Sequence, residues 1–468
     1  MTSISGKTQI DWADFAARLA PVEVIDDAVL VKKRSRDFFW YSPVLNAELR
    51  RCFGDLAAVP KTREELRHCL AVAYEAEAPV VLRGGGTGNY GQSVPVDGGL
   101  IIQTTGLDRI LEIGEGFVRA EAGALMIDVN AALREHGWEM AMFPSTQDIA
   151  TIGGFVAGGS MGIGSLATGA LREPGNMLAL KVMSVEAVPR EVTFTGEDIL
   201  RIHHAWGLNG VITEVTLRTV PTRDWIACMA TFDSYADAYR AGLAIAQATD
   251  MAPKLASVVD ARIAAYFPRL DGHIRPGRDL TVALVPAEDM GTFEAVIAAQ
   301  AGHLDQALTE DARKALGLPH VFEFCYNHTT LQVLKSDRTA TYQQIGVPDC
   351  TDIARITALR ADLGDRAWTH HEFARLDGAV IAIDLPILWA RTAEEIGEID
   401  AIYRSHGFTV YDAHTSKVER GGLHDADYRH LAWKKRLDPK GLLNSAKSVA
   451  WAEVRDLSPE EIERKATG

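Results

Sequence analysis

The sequence has few cysteines, a deficit of positive charge and no long apolar run. Its 468 residues include five cysteines without a CxxC pair, so neither a disulfide framework nor a zinc or iron–sulfur site is expected. Lys and Arg number 48 against 63 Asp and Glu, and the resulting net charge of −15 disfavours a protein that binds nucleic acid through its phosphates. Because no apolar run reaches roughly 18 residues, we expect no membrane-spanning helix and no membrane partner.

The amino terminus has no basic stretch followed by an apolar core, so we expect no secretory signal and a cytoplasmic protein. Hydrophobic residues make up 47% and charged residues 24% of the chain, which is an ordinary globular composition. At roughly 150 residues per domain, the length indicates about two to three domains.

Glycine is concentrated in one part of the chain. Twenty of the forty glycines lie between Gly84 and Gly175, where the backbone must turn sharply or approach a ligand closely. A predicted helix over 62–76 and a short buried strand over 79–82 precede this region. From about Arg223 onward, alanine-rich helices alternate with strand candidates at 321–330, 368–374 and 379–385, which indicates a second domain.

The first glycine loop, at 86–91, matches the pattern G-x-G-x-x-G. No helix is expected to open at its last glycine, because Pro95 and the Gly98-Gly99 turn follow, so a Rossmann domain with a nicotinamide cofactor is disfavoured. The loop is either a plain turn or a nest of backbone N–H groups that binds a pyrophosphate. A second loop, at 144–165, has six glycines and several hydroxyls. Two such loops in one domain predict a large cofactor.

Five segments of the chain resemble, in the same order, the motifs of the vanillyl-alcohol oxidase and p-cresol methylhydroxylase (PCMH) superfamily of FAD enzymes. They include the sequence Arg-Gly-Gly-Gly-Thr-Gly at 83–88 and lie at 83–88, 144–154, 164–172, 206–214 and 438–447. The resemblance implies an α+β, two-domain PCMH-type FAD-binding fold with a mixed α/β cap domain that binds substrate. It places the FAD-binding part at 1–222, the cap at 223–410 and a C-terminal segment returning to the FAD domain at 411–468.

The resemblance also implies which residues hold FAD. Residues 84–88 would bind the pyrophosphate through backbone amides, Ile212 would meet the adenine, and Asn444 and Lys447 would lie near the pyrimidine edge of the flavin. The family's usual closing motif, Asn-Pro-Gly-Lys, reads Asn-Ser-Ala-Lys here. The complete predicted cofactor set is Arg83, Gly84, Gly85, Gly86, Thr87, Gly88, Asn89, Gln92, Ser93, Pro144, Ser145, Thr146, Thr151, Gly153, Gly154, Gly158, Gly164, Ser165, Gly169, Ile212, Asn444 and Lys447.

The same resemblance to the superfamily indicates whether the flavin is attached covalently. Many members of the superfamily link FAD to a histidine in the first glycine loop, where this sequence has Thr87. No cysteine lies between Cys69 and Cys228, which excludes the two-point attachment of some members. We therefore predict non-covalent FAD, and a link from a histidine of the cap domain remains open.

Three pairs of side chains are candidates for the base that takes a substrate proton. Strand alternation places Tyr326 with His328 on a predicted strand at 322–330, His370 with Glu372 on the next candidate strand, and Asp412 with His414 on a predicted strand at 408–416. The predicted catalytic residues are His414, Asp412, Tyr326, His328 and His370, and each histidine has a structural role as its alternative. Related D-2-hydroxyacid dehydrogenases carry metal-binding His stretches that this chain lacks. His370 and His371 would point to opposite faces of a strand, so no metal is predicted.

The resemblance predicts an FAD-dependent oxidase or dehydrogenase. It would move hydride from an alcohol, a hydroxy acid or a related small organic substrate onto flavin N5 and pass the electrons to oxygen or another acceptor. Two alternatives remain: a non-redox flavoenzyme of the same superfamily, and an FAD-binding subunit of a larger electron-transfer assembly. Besides the small-molecule substrate, the partners left open are a second copy of the chain and an electron-acceptor protein.

Overall fold

The computed structural model describes residues 10–159, 161–420 and 427–466. It mixes helices and sheets, as the α+β prediction requires. Within the described ranges, every helix is too short or too polar to cross a bilayer.

The first sheet has the strand order β1-β2-β4-β3, in which β2, β3 and β4 are parallel and β1 is antiparallel to β2. Helix α4 begins where Thr62 Oγ1 accepts the amide hydrogen of Glu65 at 3.1 Å, and it leads directly into β3. The predicted helix and strand before the first glycine loop are therefore confirmed. The elements of this part are β1 (Glu23–Ile25), β2 (Leu56–Val59), β3 (Val80–Arg83), β4 (Leu100–Gln103), α1 (Trp12–Arg18), α2 (Ala28–Arg34), α3 (Pro43–Leu49) and α4 (Arg63–Ala76).

The second sheet has the order β5-β6-β10-β8-β9, with β7 paired to the far end of β10. Its strands are antiparallel, and its apolar face packs under α5 and α6. The elements are β5 (Ile110–Gly114), β6 (Phe117–Glu121), β7 (Trp138–Met140), β8 (Met177–Met183), β9 (Glu191–Thr195), β10 (Val211–Pro221), α5 (Met126–Glu135), α6 (Ile152–Gly158) and α7 (Ser165–Thr168).

A third sheet dominates the rest of the chain, in the order β14-β11-β13-β12-β18-β19-β16-β21, and a small sheet has the order β15-β20-β17. The strands are β11 (Trp225–Phe232), β12 (Leu255–Val259), β13 (Asp279–Pro286), β14 (His303–Leu308), β15 (Thr341–Tyr342), β16 (Gln344–Gly346), β17 (Ala367–Trp368), β18 (His370–Leu376), β19 (Ala379–Asp384), β20 (Ile387–Leu388) and β21 (Thr409–Tyr411). The α-helices are α8 (Tyr235–Gln247), α9 (Ala261–Ala264), α10 (Met290–Ala299), α11 (Glu310–Ala315), α12 (His328–Leu334), α13 (Ile353–Leu363) and α14 (Ala393–Ser405).

The two faces of the third sheet belong to different cores. Val258 and Ala283 join a core with α8, whereas Val259 and Val282 join a core that continues into the second sheet. One face of the third sheet therefore packs into the core that also contains residues of the second glycine loop.

The C-terminal segment returns to the first sheet. The Val80 amide donates to the Leu442 carbonyl at 2.9 Å, and the Asn444 amide donates to the Val80 carbonyl at 2.8 Å, so the segment adds an edge to β3. Its helices are α15 (Tyr428–Leu437), α16 (Trp451–Val454) and α17 (Pro459–Arg464). Short 3-10 helices occur at Phe39–Tyr41, Thr104–Gly106, Gly196–Arg201, Pro268–Leu270, Ala287–Asp289, Val321–Phe324, Val418–Arg420 and Ser445–Lys447.

Two of the predicted strands are wrong. The segment 321–330 forms a 3-10 helix and the start of α12, because Tyr326 has a positive φ of 49° and the Thr329 hydroxyl donates back to the Tyr326 carbonyl at 2.7 Å. The segment predicted as a strand at 408–416 pairs only over Thr409–Tyr411, because the Asp412 carboxylate then closes a turn. Alternation therefore pairs neither Tyr326 with His328 nor Asp412 with His414.

Candidate functional site

The two glycine loops contact each other through their backbones. A Cβ at Gly85 would lie 1.8 Å from the Ile149 carbonyl oxygen, and one at Gly84 would lie 2.3 Å from Thr151 Oγ1. Only glycine fits at such separations. These two glycines therefore bring the loops together, and the site is built where they meet.

A cation lies beneath the first loop. Gly86 has φ of +66°, and a Cβ there would lie 2.1 Å from the guanidinium of Arg83. Arg83 Nη1 in turn donates to the Arg36 carbonyl at 2.6 Å. The guanidinium thus places positive charge at the loop that is expected to hold a pyrophosphate. Gly88 completes the turn, since its Cβ would lie 2.3 Å from Gln92 Oε1, which accepts from the Tyr90 amide at 3.0 Å.

The second loop leads into α6. Thr151 Oγ1 caps this helix by accepting the Gly154 amide hydrogen at 3.1 Å. A Cβ at Gly153 would lie 2.5 Å from that of Ala122, so this glycine is required for packing, whereas Gly158 faces open space. Pro144 and Thr146 shape the turn before α6, where their carbonyls accept from the amides of 147, 149 and 150, and Ser145 lies between them.

The end of the second loop contacts the part of the chain predicted as the cap, residues 223–410. Gly164 has φ of +106° and donates its amide hydrogen to the Lys254 carbonyl at 2.9 Å. Ser165 Oγ donates to the Gly162 carbonyl at 2.7 Å, and Gly169 ends α7 with φ of +79°. Ile212 lies in β10, where it pairs with Val182 of β8.

The segment before α3 lines the site and was missed by the sequence reasoning. The Phe38 amide donates to the Gly88 carbonyl at 2.8 Å, which fixes the segment against the first loop. Asp37 Oδ1 accepts from the Phe39 amide at 3.0 Å, and its Oδ2 is buried without a hydrogen-bond partner. Burial raises the pKa of Asp37 to about 6, against the opposing charges of Lys447 and Arg83.

Asn444 and Lys447 bring the C-terminal segment to the first loop. The side-chain amide of Asn444 donates to the carbonyls of Gln92 at 2.9 Å and Trp206 at 2.8 Å. Both of its hydrogens are thereby used, so Asn444 holds the loop. Lys447 is fully buried, its Nζ has no hydrogen-bond partner, and burial lowers its pKa to about 8. A Cβ at Gly91 would lie 3.8 Å from this Nζ.

Several buried polar atoms around the loops have no hydrogen-bond partner among the residues that the structure describes, which is unusual because burial of an unpaired polar group costs roughly 1–3 kcal/mol. They come from the N-terminal segment, the first loop, the cap and the C-terminal segment. A long ligand with polar groups along its length would satisfy them, so the residues fit FAD. The atoms are Asp37 Oδ2, Ser93 Oγ, Trp206 Nε1, Glu372 Oε2, His414 Nε2 and Lys447 Nζ.

Tyr326 reaches across from the cap to the second loop. Its hydroxyl donates to the Gly162 carbonyl at 2.9 Å and lies 3.3 Å from Ser165 Oγ, while its amide donates to Glu372 Oε1 at 2.5 Å. Burial raises the pKa of the Tyr326 hydroxyl, so it remains protonated and serves as a donor.

His370 has both ring nitrogens engaged. Its Nε2 lies 2.7 Å from Glu372 Oε1, its Nδ1 lies 3.1 Å from Thr329 Oγ1, and the side chain is fully buried. His371 points to the opposite face, where its Nδ1 lies 2.6 Å from Tyr235 Oη, as strand alternation predicted. His328 lies in α12, with Nδ1 3.1 Å from Glu323 Oε1.

His414 is held differently from the other histidines. Its Nδ1 lies 2.8 Å from Ser42 Oγ, and its Nε2 is buried without a hydrogen-bond partner. Burial lowers its pKa, against the charge of Asp412 and the backbone of Tyr342, so the ring is neutral at pH 7. Asp412 Oδ1 accepts from the backbone amide of His414 at 2.8 Å, so the carboxylate bonds the backbone and not the imidazole.

A network of phenols and amides joins three parts of the chain beside His414. The side-chain amide of Asn89 donates to Tyr41 Oη at 2.9 Å and to Tyr342 Oη at 2.7 Å. The side-chain amide of Asn327 donates to Tyr41 Oη at 2.7 Å. The aromatic run at 38–41 is the sequence signal that could have pointed to this network.

The described residues contain no group of three or more His, Cys, Asp or Glu side chains placed to hold a metal ion. The site's polar groups are instead a cation beneath one loop, a buried ammonium, amides and phenols, all suited to a phosphate-bearing, polar-edged ligand.

Residues 55–186, which contain both glycine loops up to α7, match the family described as FAD binding domain. This part of the chain is therefore similar to an FAD-binding domain, and the predicted FAD cofactor is confirmed. The predicted PCMH-type fold is confirmed too: the structure superimposes on that of an alkyldihydroxyacetonephosphate synthase with a TM-score of 0.70, over 94% of this chain and 85% of that one, at 14% sequence identity.

The curated relatives include a glycolate oxidase subunit and a D-lactate dehydrogenase. A segment of 199 residues is 30% identical to the glycolate oxidase subunit GlcD of Escherichia coli (strain K12), covering 41% of this chain and 39% of that protein. A segment of 263 residues is 26% identical to D-lactate dehydrogenase of Archaeoglobus fulgidus, covering 53% of this chain and 57% of that protein. The matches span less than two thirds of either relative.

Proposed function

We propose that the protein is an FAD-dependent oxidoreductase that takes hydride from a small hydroxy acid or related alcohol, and that His414 removes the hydroxyl proton. The observation that carries the proposal is the buried, unpaired Nε2 of a neutral imidazole beside the first glycine loop. When bound, FAD supplies the hydride acceptor at its N5 atom. The relatives are named for glycolate and D-lactate, which are both 2-hydroxy acids.

His414 is suited to accept a proton. With hydrogen on Nδ1, the ring donates to Ser42 Oγ, and the buried Nε2 keeps a lone pair that has no partner among the described residues. Ser42 is itself fixed, because its Oγ accepts the Leu45 amide hydrogen at the start of α3. Tyr326 remains a hydrogen-bond donor to the second loop, and the fully engaged His370 supports Glu372.

The FAD is proposed to be non-covalent. Thr87 stands in the first loop where attachment requires a histidine, and no cysteine lies between Cys69 and Cys228. Arg83, the backbone amides of the first loop and the charge of Lys447 would then retain the cofactor.

The test is anaerobic mixing of the FAD-loaded protein with glycolate, the two lactate enantiomers, D-2-hydroxyglutarate and simple alcohols, followed by flavin absorbance. We expect one hydroxy acid to bleach the flavin. His414→Asn should slow the bleaching by about 10²- to 10⁴-fold with unchanged FAD content, as expected for loss of a general base. The matched control is His136→Asn, because the exposed His136 bonds only the carbonyl of Ala132 in its own helix.

The pH profile supplies a second readout. His414 must be neutral to accept a proton, and burial lowers its pKa from the usual 6.5. The bleaching rate should therefore fall only when the pH drops below this lowered pKa. The His414→Asn variant should lose this acid limb. Flavin that stays oxidised with every hydroxy acid and alcohol would contradict the proposal and favour a non-redox flavoenzyme.

A further inference from the structure

A compact basic surface stands out on this acidic chain. It is formed by α2, the residues after it and the end of α3, and we call it the basic face. Whereas the whole chain has a net charge of −15, residues 32–51 carry six cationic side chains and two carboxylates. Four of the cations are exposed and Arg36 is half-buried. The basic face consists of Lys32, Lys33, Arg36, Arg50 and Arg51.

The three segments of the basic face converge in space. Lys32 Nζ lies 4.9 Å and the Arg36 guanidinium 5.8 Å from the centre of the Phe53 ring. Arg36 Nη2 also donates to the Arg50 carbonyl at 3.2 Å. These contacts join the end of α2 to the end of α3, so the cations act as one charged surface.

The carboxylates near this surface are fewer than its cations. Asp37 is buried, whereas Glu48, Asp55 and Asp97 are exposed, and Glu48 accepts a hydrogen bond from Ser416 Oγ at 2.7 Å. Asp26 and Asp27 lie at the opposite end of α2, where Asp27 caps the helix by accepting the amides of Val29 and Leu30.

Exposed apolar side chains border the basic face, and one of them leads inward to the cofactor loop. Val29, Leu30 and Trp40 are 74%, 44% and 37% exposed. The Trp40 ring packs edge-on against Tyr41 with centroids 5.4 Å apart, and Tyr41 Oη accepts from Asn89 of the first glycine loop. Two aromatic rings therefore connect the cofactor loop to the surface beside the cations.

We propose that the basic face is the docking surface for an acidic electron-acceptor protein and that electrons leave the flavin through Tyr41 and Trp40. The inference rests on the proposed redox function. A cationic surface bordered by exposed apolar side chains matches an acidic partner, and the electric field of the basic face would accelerate its encounter with that partner. Oxidation of one reduced flavin anion releases two electrons, which reduce two one-electron acceptors, and one proton, which goes to solvent.

The test compares two forms of one haem protein, native cytochrome c, which is cationic, and succinylated cytochrome c, which is anionic. The FAD-loaded protein is reduced by light and a deazaflavin without oxygen, so no substrate is needed, and ferrous haem is followed by absorbance. We expect the succinylated form to be reduced faster at low salt, with the advantage lost at high salt.

The variant Lys32→Glu/Lys33→Glu/Arg50→Glu should lower the rate with succinylated cytochrome c by about tenfold, within the range of electrostatic steering, and should not lower the rate with the native form. The matched control, Arg223→Glu/Arg240→Glu/Lys314→Glu, makes the same change in net charge on exposed cap residues and should have a far smaller effect.

Three results would overturn the inference. Equal effects of the two triple variants would show that only net charge matters, and faster reduction of native cytochrome c would show that electrons leave elsewhere. Sedimentation with phosphatidylglycerol vesicles that the first triple variant abolishes would assign the basic face to a membrane. A protein that retains no FAD overturns the proposed function as well, whereas a flavin that passes electrons regardless of acceptor charge overturns this inference alone.

Discussion

Replacing Lys447 with methionine should stabilise the protein without FAD and weaken its affinity for FAD. Lys447 is fully buried and its ammonium makes no hydrogen bond. A buried charge without close partners destabilises the folded chain, and natural proteins retain such groups chiefly where a ligand uses them. Methionine keeps a similar length and flexibility while removing the charge.

The pKa of Lys447 gives the magnitude. Burial lowers it from 10.5 to about 8, and this difference corresponds to about 3 kcal/mol. Because the folded state binds the proton less tightly than the unfolded state, this destabilisation is fully present below pH 8 and disappears as the pH rises from about 8 to 10.5. Asp37, which would lose the charge of Lys447, can take up a proton since its own pKa is already about 6. The apo variant should therefore gain up to about 3 kcal/mol at pH 7.

Urea unfolding of the apo protein at pH 7 and pH 10 measures this gain, and fluorescence titration with FAD measures affinity. We expect the wild-type apo protein to become more stable between pH 8 and 10, the Lys447→Met variant to show no such rise, and the FAD affinity of that variant to fall at least tenfold. Lys435→Met is the control, because Lys435 lies in the same C-terminal segment and its Nζ donates to the Arg455 carbonyl near the surface. An apo variant less stable than wild type, with unchanged FAD affinity, would refute the reasoning.

Three further outcomes are expected. Gly86→Val should abolish FAD retention, because its φ of +66° and the nearby Arg83 guanidinium leave no room for a β-branched side chain; Gly116→Val, with φ of +77° and nothing within 4 Å, controls for backbone strain. Glu139→Gln should lower the free energy of unfolding by about 3 kcal/mol in thermal or urea melts, since it leaves the buried ammonium of Lys254, 2.6 Å away, without its counter-charge. Precipitation of the yellow protein in acid should release all the flavin, and colour in the pellet would show a covalent link.

The fold could be read from the sequence where local chemistry decides it. The helix capped by Thr62, the strand that follows it and the first glycine loop are specified by neighbouring residues, so pattern and propensity agree. The close approach of the second loop admits only glycine at Gly84 and Gly85 of the first loop, so this long-range contact leaves a run of glycines that is visible in the sequence.

The strand predictions failed where side chains compete with the sheet. At Thr329 and Asp412, hydroxyl and carboxylate groups bond the nearby backbone and turn the chain, although both segments read as apolar and alternating. Tyr326 nevertheless reaches the second glycine loop and His414 reaches Ser42, by turns rather than by strand alternation. His370 and Glu372 do lie on one face of a strand, as predicted, because β18 is a central strand of the third sheet.

The residues missed from the sequence are those whose partners are distant along the chain. Ser42 and His414 are 372 positions apart, yet they are joined by one hydrogen bond of 2.8 Å. Asp37 likewise acquires its raised pKa only through burial, which outweighs the opposing charges of Arg83 and Lys447. No local pattern can report such pairs, because the contact depends on the return of the C-terminal segment to the first sheet.

The return of the C-terminal segment to the first sheet also explains how the site keeps buried polar groups that destabilise the folded chain. Asn444 pins the C-terminal turn to the first loop, and buried Lys254 and Glu139 join the cap to the second sheet. The phenol and amide network around Tyr41 adds a third connection between the two parts. These contacts hold the parts of the chain together around Lys447 and His414, so the two buried groups cannot relax toward water. We therefore expect their unsatisfied polarity to strengthen the binding of FAD and substrate.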